Sequence, residues 1–160
     1  DAQARLWRWV ALLFVLLPIA PRVRDQHFML QKEVVDRMVA DPGGRDYGRL
    51  SVMLQFRYRV ARLFNVPAGA FSPPPKVDSS IVRLVPRAEG ELAAVDATVF
   101  ARIVTAAFGQ RRKTLRNALA DHLTDRAIAG CGIDPGARAE TLPVDAFAAL
   151  ARLAAQPAED

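Results

Sequence analysis

An aromatic residue and a lysine flank three consecutive prolines in the segment Phe71-Ser-Pro-Pro-Pro-Lys76. Prolines fix the backbone angle φ and push the preceding residue toward extended geometry, so the segment is predicted to be a stiff, extended loop. Such a loop has little conformational entropy left to lose when a ligand binds. A rigid aromatic ring beside a cation suits a nucleotide base on its phosphate backbone. The competing interpretation is a structural turn in which Phe71 fills the core.

The densest charge cluster lies in the segment Gln110–Asn117. The pattern predicts a helix from Gln110 to His122, with Leu115 and Leu119 on its buried face. Cations spaced in this way can contact several phosphates and release their counterions. The alternative is a solvated helix face whose charges only keep the protein soluble. The candidate RNA-binding side chains of this segment are Arg111, Arg112, Lys113, Arg116 and Asn117.

Two smaller polar groups offer weaker candidates. Arg49 and Ser51 lie near the start of a helix predicted to begin at Tyr47, where they could contact phosphate or cap the helix. Glu33 and Asp36 could suggest acid/base chemistry, but they lie one helical turn apart on a predicted polar face. A solvated surface pair is the favoured interpretation there.

Cysteine and histidine usage argues against metal or nucleophilic chemistry. The chain has one cysteine, Cys131, and its two histidines, His27 and His122, lie far apart in sequence. Neither a disulfide framework nor a zinc cluster can be built from them. The glycine pair at 43–44 does not follow a strand, so it does not form a phosphate-binding loop of the usual order. A reducing, cytoplasmic compartment is expected.

Bulk composition indicates a folded protein with a basic surface. Of the 160 residues, 51% are hydrophobic and 24% are charged, which is typical of a globular chain. The net charge is +5 and most of the cations are arginines, whose guanidinium groups suit phosphate. These values are compatible with a nucleic-acid partner. A genome rich in G and C would also favour arginine and alanine codons, and it remains a competing explanation.

The opening segment is apolar. Leu6 to Ala20 carries only Arg8 as a charged residue, and it is shorter than the ~20 apolar residues that a membrane-spanning helix needs. A secretory signal is opposed by Pro21, which would directly follow Ala20, the only suitable cleavage point. We therefore expect a buried helix of a larger fold and no membrane role.

The hydrophobic periodicity predicts an α/β part followed by an all-α part. A composition change after Pro86 suggests a linker at 87–95, which separates a domain at 1–86 from a helical domain at 96–160. The predicted strands are 26–31, 59–66 and 80–85, and the predicted helices are 32–40, 47–58, 96–108, 110–122, 125–130 and 144–154.

Four stretches, taken in order and spacing, resemble the bacterial small-subunit rRNA adenine dimethyltransferases, which are related to the erythromycin-resistance rRNA methyltransferases. The resemblance covers roughly Leu12 to the C-terminus, the second half of such an enzyme. The stretches are Phe28-Met-Leu-Gln-Lys-Glu-Val-Val35, Tyr47-Gly-Arg-Leu-Ser-Val52, Phe71-Ser-Pro-Pro-Pro-Lys-Val-Asp-Ser79 and Phe108-Gly-Gln-Arg-Arg-Lys-Thr-Leu-Arg-Asn117.

The resemblance implies a Rossmann-like methyltransferase sheet followed by a small helical domain. It implies transfer of methyl groups from S-adenosylmethionine to N6 of two adjacent adenines near the 3′ end of small-subunit rRNA, during ribosome assembly. Phe71 would stack on the adenine that has left its base stack, and Lys76 and the basic segment would hold the RNA backbone. The implied partners are small-subunit rRNA and the immature small subunit, the implied oligomeric state is a monomer, and no metal is implied.

The chain departs from the family at its start. The family's cofactor site, with a Gly-rich loop, an acidic residue and an Asn-Leu-Pro-Tyr motif, lies in the first half and is not found here. Residues 1–11 are atypical, and Gln3-Ala-Arg-Leu-Trp-Arg8 stands where that motif is expected. The isolated chain is therefore expected to bind no S-adenosylmethionine. The alternative function is a non-catalytic RNA-binding or ribosome-assembly module.

Overall fold

The computed structural model describes residues 22–88, 94–110 and 112–156. Within these ranges an α/β part is followed by helices, as the sequence predicts. The elements are β1 (Gln26–Gln31), α1 (Lys32–Met38), α2 (Arg49–Arg57), β2 (Tyr58–Val66), β3 (Ser79–Pro86), α3 (Ala97–Phe108), α4 (Leu115–Ala118), α5 (Asp125–Gly130) and α6 (Val144–Ala154). Short 3-10 turns occupy Ala68–Ala70 and Ala139–Thr141.

The three strands form one sheet in the order β1-β3-β2, and β3 is antiparallel to both neighbours. Because side chains alternate along a strand, Val82 and Leu84 of β3 point to the same face. Both are fully buried, in a cluster with Val35 and Met38 of α1. The apolar positions of α1 therefore cover this face of the sheet.

The β2 strand contains a bulge. Its register with β3 runs from Arg62 opposite Val82 directly to Phe64 opposite Ile81, so Leu63 is an extra residue. A bulge bends a strand and increases its twist. The pairing of β1 with β3 has no such irregularity from Gln26 to Gln31.

Helix α2 contributes to two cores. Leu54 is buried in the cluster that lies on the sheet. Val52, Met53 and Phe56 belong instead to a second cluster, which contains the buried residues of the C-terminal helices. The rings of Phe56 and Phe100 stack there with centroids 4.0 Å apart. The helical part after the predicted linker thus shares its core with α2.

Helix α3 begins at a side-chain cap. Asp96 Oδ1 accepts hydrogen bonds from the backbone N–H groups of Thr98 (2.8 Å) and Val99 (2.9 Å). These bonds to the charged carboxylate lower the pKa of Asp96. The cap fixes where α3 starts, and Ile103 and Val104 then face the core that α3 shares with α6.

The element boundaries differ modestly from the predicted ones. The helix predicted at 32–40 ends at Met38, and the helix predicted at 47–58 begins at Arg49, after Tyr47 and Gly48. Much of the predicted linker, 89–93, lies outside the described residues, as do 1–11 and the apolar segment Leu6 to Ala20. Among the residues that the structure describes, none of the helices is long and apolar enough to cross a membrane.

Candidate functional site

The proline loop, residues 71–78, connects β2 to β3 at the tip of a hairpin. Phe71 is half-buried, whereas Lys76 and the other residues from 72 to 78 are exposed. The peptide bond between Ser72 and Pro73 is cis. Phe71 thus keeps part of its surface exposed, in a loop that also carries the exposed Lys76.

Asp78 ties the ends of this loop together. Its Oδ1 accepts a hydrogen bond from the backbone N–H of Ala68, before the prolines, at 2.9 Å. Its backbone carbonyl accepts from the N–H of Lys32, the first residue of α1, also at 2.9 Å. The 3-10 turn before the loop is closed by the Phe71 N–H, which donates to the carbonyl of Ala68 at 3.2 Å. The backbone around Phe71 is therefore hydrogen-bonded before the prolines and across the base of the loop, and the stiffness of the loop stays a prediction.

The predicted helix from Gln110 to His122 is wrong. Helix α3 ends at Phe108, the N–H of Lys113 donates to the carbonyl of Gln110 at 3.0 Å, and α4 spans only four residues from Leu115. The backbone N–H groups of Leu115 and Arg116 donate to the carbonyls of Ala137 (2.8 Å) and Pro135 (2.9 Å). In a longer helix, carbonyls of the preceding turn would accept these two hydrogen bonds. Here the loop that contains Pro135 and Ala137 accepts them, so the helix can begin at Leu115. Burial of Leu115 and Leu119 fixes the direction of α4.

The described cations of this basic segment, residues 110–117, remain on the surface. Arg112, Lys113, Arg116 and Asn117 are all exposed, and Arg111 lies outside the described residues. Arg116 Nε lies 2.6 Å from Asp125 Oδ2, in the first turn of α5. Arg112 and Lys113 thus lie exposed ahead of α4, while Arg116 pairs with a carboxylate that nothing in the local sequence indicates.

The two residues near the start of α2 have different roles. Arg49 is the first residue of α2 and is exposed. Ser51 is fully buried: its hydroxyl donates to the carbonyl of Arg37 at 2.5 Å and accepts from the N–H of Gly48 at 3.1 Å. Ser51 therefore caps the helix and joins it to α1, and only Arg49 is available to a ligand.

Tyr47 connects this helix start to the basic segment. Its hydroxyl donates to the carbonyl of Leu142 at 2.8 Å, and its ring meets Phe108 edge-on with centroids 6.3 Å apart. Burial raises the pKa of Tyr47 well above its usual value. Arg49 follows Tyr47 by two residues, and the basic segment begins two residues after Phe108. The contact between Tyr47 and Phe108 therefore fixes the backbone close to Arg49 and close to the start of the basic segment.

The carboxylates of α1 form surface ion pairs. Glu33 pairs with Arg37 (2.6 Å), and Asp36 pairs with both Lys32 (2.7 Å) and Arg62 of β2 (2.8 Å). This confirms the interpretation of Glu33 and Asp36 as a surface pair. Among the described residues there is also no group of three or more side chains that could hold a metal ion.

A passage from a strand into a helix is where a nucleotide cofactor could approach the backbone closely. In the part of the chain that the structure describes, the one direct passage from strand to helix is Gln31 to Lys32, where β1 runs into α1 without a glycine. Gly43 and Gly44 lie in the loop after α1, and the N–H of Gly43 donates to the carbonyl of Glu140. Among the described residues, no glycine-rich turn therefore opens a helix after a strand, which is the arrangement that brings a backbone close to a cofactor.

Comparison with known proteins defines the class. The fold matches a dimethyladenosine transferase from Plasmodium falciparum, with a TM-score of 0.76, 24% identity, and coverage of 88% of this chain and 60% of that one. It also matches the 23S rRNA methyltransferase ErmE, with a TM-score of 0.67, 25% identity, and coverage of 91% and 60%. The fold is thus that of the Rossmann-like rRNA methyltransferases, which confirms the predicted fold class.

The sequence relatives specify the family. Residues 10–156 match the family described as ribosomal RNA adenine dimethylase. The chain is 57% identical over 139 residues to "Ribosomal RNA small subunit methyltransferase A" of Thiobacillus denitrificans, covering 87% of this chain and 54% of that protein. For the Aromatoleum aromaticum protein of the same name the values are 59%, 87% and 52%. The chain belongs to the ribosomal RNA adenine dimethylase family, and it spans about half the length of these relatives.

Proposed function

We propose that this chain is the RNA-binding C-terminal half of an rRNA adenine dimethyltransferase. The complete enzyme would transfer methyl groups from S-adenosylmethionine to N6 of two adjacent adenines near the 3′ end of small-subunit rRNA, during ribosome biogenesis in the cytoplasm. The observation that carries the proposal is the anchored proline loop in a chain of this family: Asp78 joins its base to Ala68, and the loop carries a partly exposed Phe71 and an exposed Lys76.

In this proposal Phe71 stacks on the target adenine once the base has left its stack. Lys76, Arg49, Arg112 and Lys113 attract the RNA backbone, because all four are exposed cations. Arg116 and Asn117 extend this surface, and Arg111 is assigned to it from sequence alone. The cofactor site is assigned to the half of the relatives that this chain does not match, so no methyl-transfer step is assigned to this chain.

A second candidate is a non-catalytic RNA-binding or ribosome-assembly module. The observation that favours it is the absence, from the described residues, of a glycine-rich turn between a strand and a helix. Both candidates predict binding to rRNA. They differ over whether the chain takes part in methyl transfer when the other half of the enzyme is supplied.

The test is a methyl-transfer assay on immature small subunits that lack the adenine methylation. The 160-residue chain alone should transfer no methyl groups and should give no heat of binding with S-adenosylmethionine, whereas the complete Thiobacillus denitrificans relative should be active. The chain alone should bind the particle and should compete with the complete relative. Tight cofactor binding by the chain alone would contradict the assignment of a missing cofactor site, and failure to compete would contradict the RNA-binding role.

A further inference from the structure

The bulge at Leu63 changes the face of the sheet to which the end of β2 points. Side chains alternate along a strand, so Asn65, three residues after Arg62, would ordinarily point away from the face of Arg62. With the extra residue, Arg62 lies opposite Val82 and Asn65 lies opposite Ser80. Directly opposite residues share a face, and Val82 and Ser80 both lie on the buried face of β3. The bulge therefore turns Asn65 to the face that α1 covers.

The buried hydroxyl of Ser80 depends on this arrangement. Ser80 lies in the middle strand, between Leu30 of β1 and Asn65 of β2, and it is 0% exposed. Its hydroxyl donates to Asn65 Oδ1 at 2.6 Å. A buried hydroxyl without a partner destabilises the fold, whereas an alanine in its place would need no partner. The hydrogen bond between Ser80 and Asn65 therefore gives the hairpin a directional contact that an apolar side chain does not provide.

The pair Asn65–Ser80 lies directly below the proline loop. One further strand pair, Val66 opposite Ser79, separates it from the hydrogen bond that Asp78 accepts across the base of the loop. Strand register is normally fixed by the alternation of side chains between two faces, and a bulge interrupts this alternation. A specific contact beyond the bulge is therefore needed to keep the extra residue in one place.

We propose that Asn65 and Ser80 are positioning residues for Phe71. Their hydrogen bond holds the bulge at Leu63, and it thereby sets the register at which β2 enters the proline loop. If the bulge moved past Asn65, Phe64 would lie opposite Ser80, and the segment that leads to Phe71 would shift by one strand residue, about 3.3 Å. A base that stacks on the ring in one register would lose that contact in the other. This inference rests on the proposed stacking of Phe71 on adenine.

A double-mutant cycle tests the positioning role, using the full 160-residue chain and an RNA with unpaired adenines. Asn65→Ala and Ser80→Ala each remove the hydrogen bond and should weaken RNA binding by about three- to tenfold. In a Phe71→Ala background the same changes should weaken binding by less than about twofold, because the ring that they position is absent. Asn65→Asp keeps an oxygen acceptor for the Ser80 hydroxyl and should restore the affinity.

Ser51→Ala is the matched control. Ser51 is also a fully buried serine with a hydrogen-bonded hydroxyl, but it joins α2 to α1 at the carbonyl of Arg37 and not the two strands of the hairpin. Its replacement should lower the free energy of unfolding, as Ser80→Ala does. Any effect of Ser51→Ala on RNA affinity should be equal with and without the Phe71 ring. Circular dichroism should show that every variant is folded.

Hydrogen–deuterium exchange of the free chain reports on the register without RNA. Asn65→Ala should speed exchange in residues 64–71 and leave β1 unchanged. The proposal would be overturned by unchanged exchange, by equal losses of RNA affinity with and without the Phe71 ring, or by an Asn65→Asp variant that does not recover. If Phe71→Ala alone leaves RNA affinity unchanged, the stacking role fails, and the exchange rates alone then decide whether the pair sets the register.

Discussion

The side chain of Asp78 accepts a hydrogen bond from the backbone N–H of Ala68 at 2.9 Å, across the base of the proline loop. The two partners are ten positions apart in the sequence, and all three prolines of the loop lie between them. Proline stiffens each residue locally but does not fix where the two ends of a loop lie. The hydrogen bond between Asp78 and Ala68 fixes the distance between the two ends of the loop. The position of Phe71 therefore depends on this bond as well as on the prolines.

Removal of this bond should loosen the loop. Asp78→Ala should lower the free energy of unfolding by about 1 kcal/mol, the usual net contribution of one hydrogen bond. It should also weaken rRNA binding, because Phe71 would have to be ordered on binding. Urea unfolding and filter binding would measure the two effects. Asp78→Asn keeps an oxygen acceptor and serves as the control, so an equal loss in both variants would contradict the role of the bond.

Replacement of the aromatic ring tests base stacking. Phe71→Ala should weaken binding to an RNA with unpaired adenines by roughly 5- to 150-fold, since stacking on an aromatic side chain is worth about 1–3 kcal/mol per base. Phe71→Trp retains a ring face and should retain most of the affinity. Phe64→Ala removes a phenylalanine that is 58% exposed on the sheet and should leave RNA affinity unchanged. Equal losses at Phe71 and Phe64 would remove Phe71 from the RNA site.

The cations of the basic segment should not contribute equally to RNA binding. Arg112→Ala and Lys113→Ala should each reduce the slope of log affinity against log salt concentration by about one, as the loss of a phosphate contact does. Arg116→Ala should have a smaller effect, because the guanidinium already pairs with Asp125 at 2.6 Å. Charge reversal of Arg112, Lys113 and Arg116 together should abolish binding.

Asp125→Asn provides the complementary measurement. It should leave stability nearly unchanged, because both partners of the ion pair are about half exposed and such pairs contribute little. It should increase RNA affinity, because Arg116 would become available to phosphate. Weaker binding by Asp125→Asn would instead show that the ion pair orients Arg116 for contact with RNA.

Ionisation of Tyr47 should make the free energy of unfolding depend on pH in the alkaline range. Burial raises its pKa above the 10.0 of an exposed tyrosine, so the folded state favours the neutral phenol. The resulting stabilisation is complete below pH 10 and is lost as the pH rises above 10, where the unfolded chain ionises first. Tyr47→Phe should reduce this pH dependence. Part of the pH dependence should remain, because burial also raises the pKa of Tyr58.

The same variant should be less stable at neutral pH. Tyr47→Phe removes the donor to the Leu142 carbonyl and should cost about 1–3 kcal/mol. Urea unfolding at pH 8 and pH 11, for wild type and variant, measures both effects. An unchanged difference in stability between the two pH values would contradict the assignment to Tyr47.

The sequence predicted the elements with a clear period and failed where a distant contact decides the structure. The strand at 26–31 and the stiff proline loop follow from local patterning and from proline geometry. The helix predicted from Gln110 to His122 has the right apolar spacing at Leu115 and Leu119. It fails because carbonyls of Pro135 and Ala137 satisfy the donors at the start of α4, and no local signal reveals those partners.

The site residues also divide into those that residue type reveals and those that depend on a distant contact. Exposed cations and Phe71 could be proposed from residue type, because each acts with its own side chain. Asp78 and Asp125 were missed, since an aspartate that anchors a loop or pairs with an arginine looks like any surface aspartate in the sequence. The Asp78 signal was nonetheless present: aspartate readily accepts hydrogen bonds from loop backbone, and this one lies three residues after the last proline of the run.

Helix α2 packs against two separate cores, because Leu54 lies in the cluster on the sheet and Val52, Met53 and Phe56 lie in the helical cluster. Its side chains must therefore match two sets of neighbours at once. A chimaera that exchanges only residues 96–160 between relatives would pair foreign helices with a native α2 and should fold poorly. Exchange of α2 together with the helical part would move the mismatch to the sheet. The nine residues of α2 thus require the sheet and the helical part to change together in evolution, whatever RNA each relative binds.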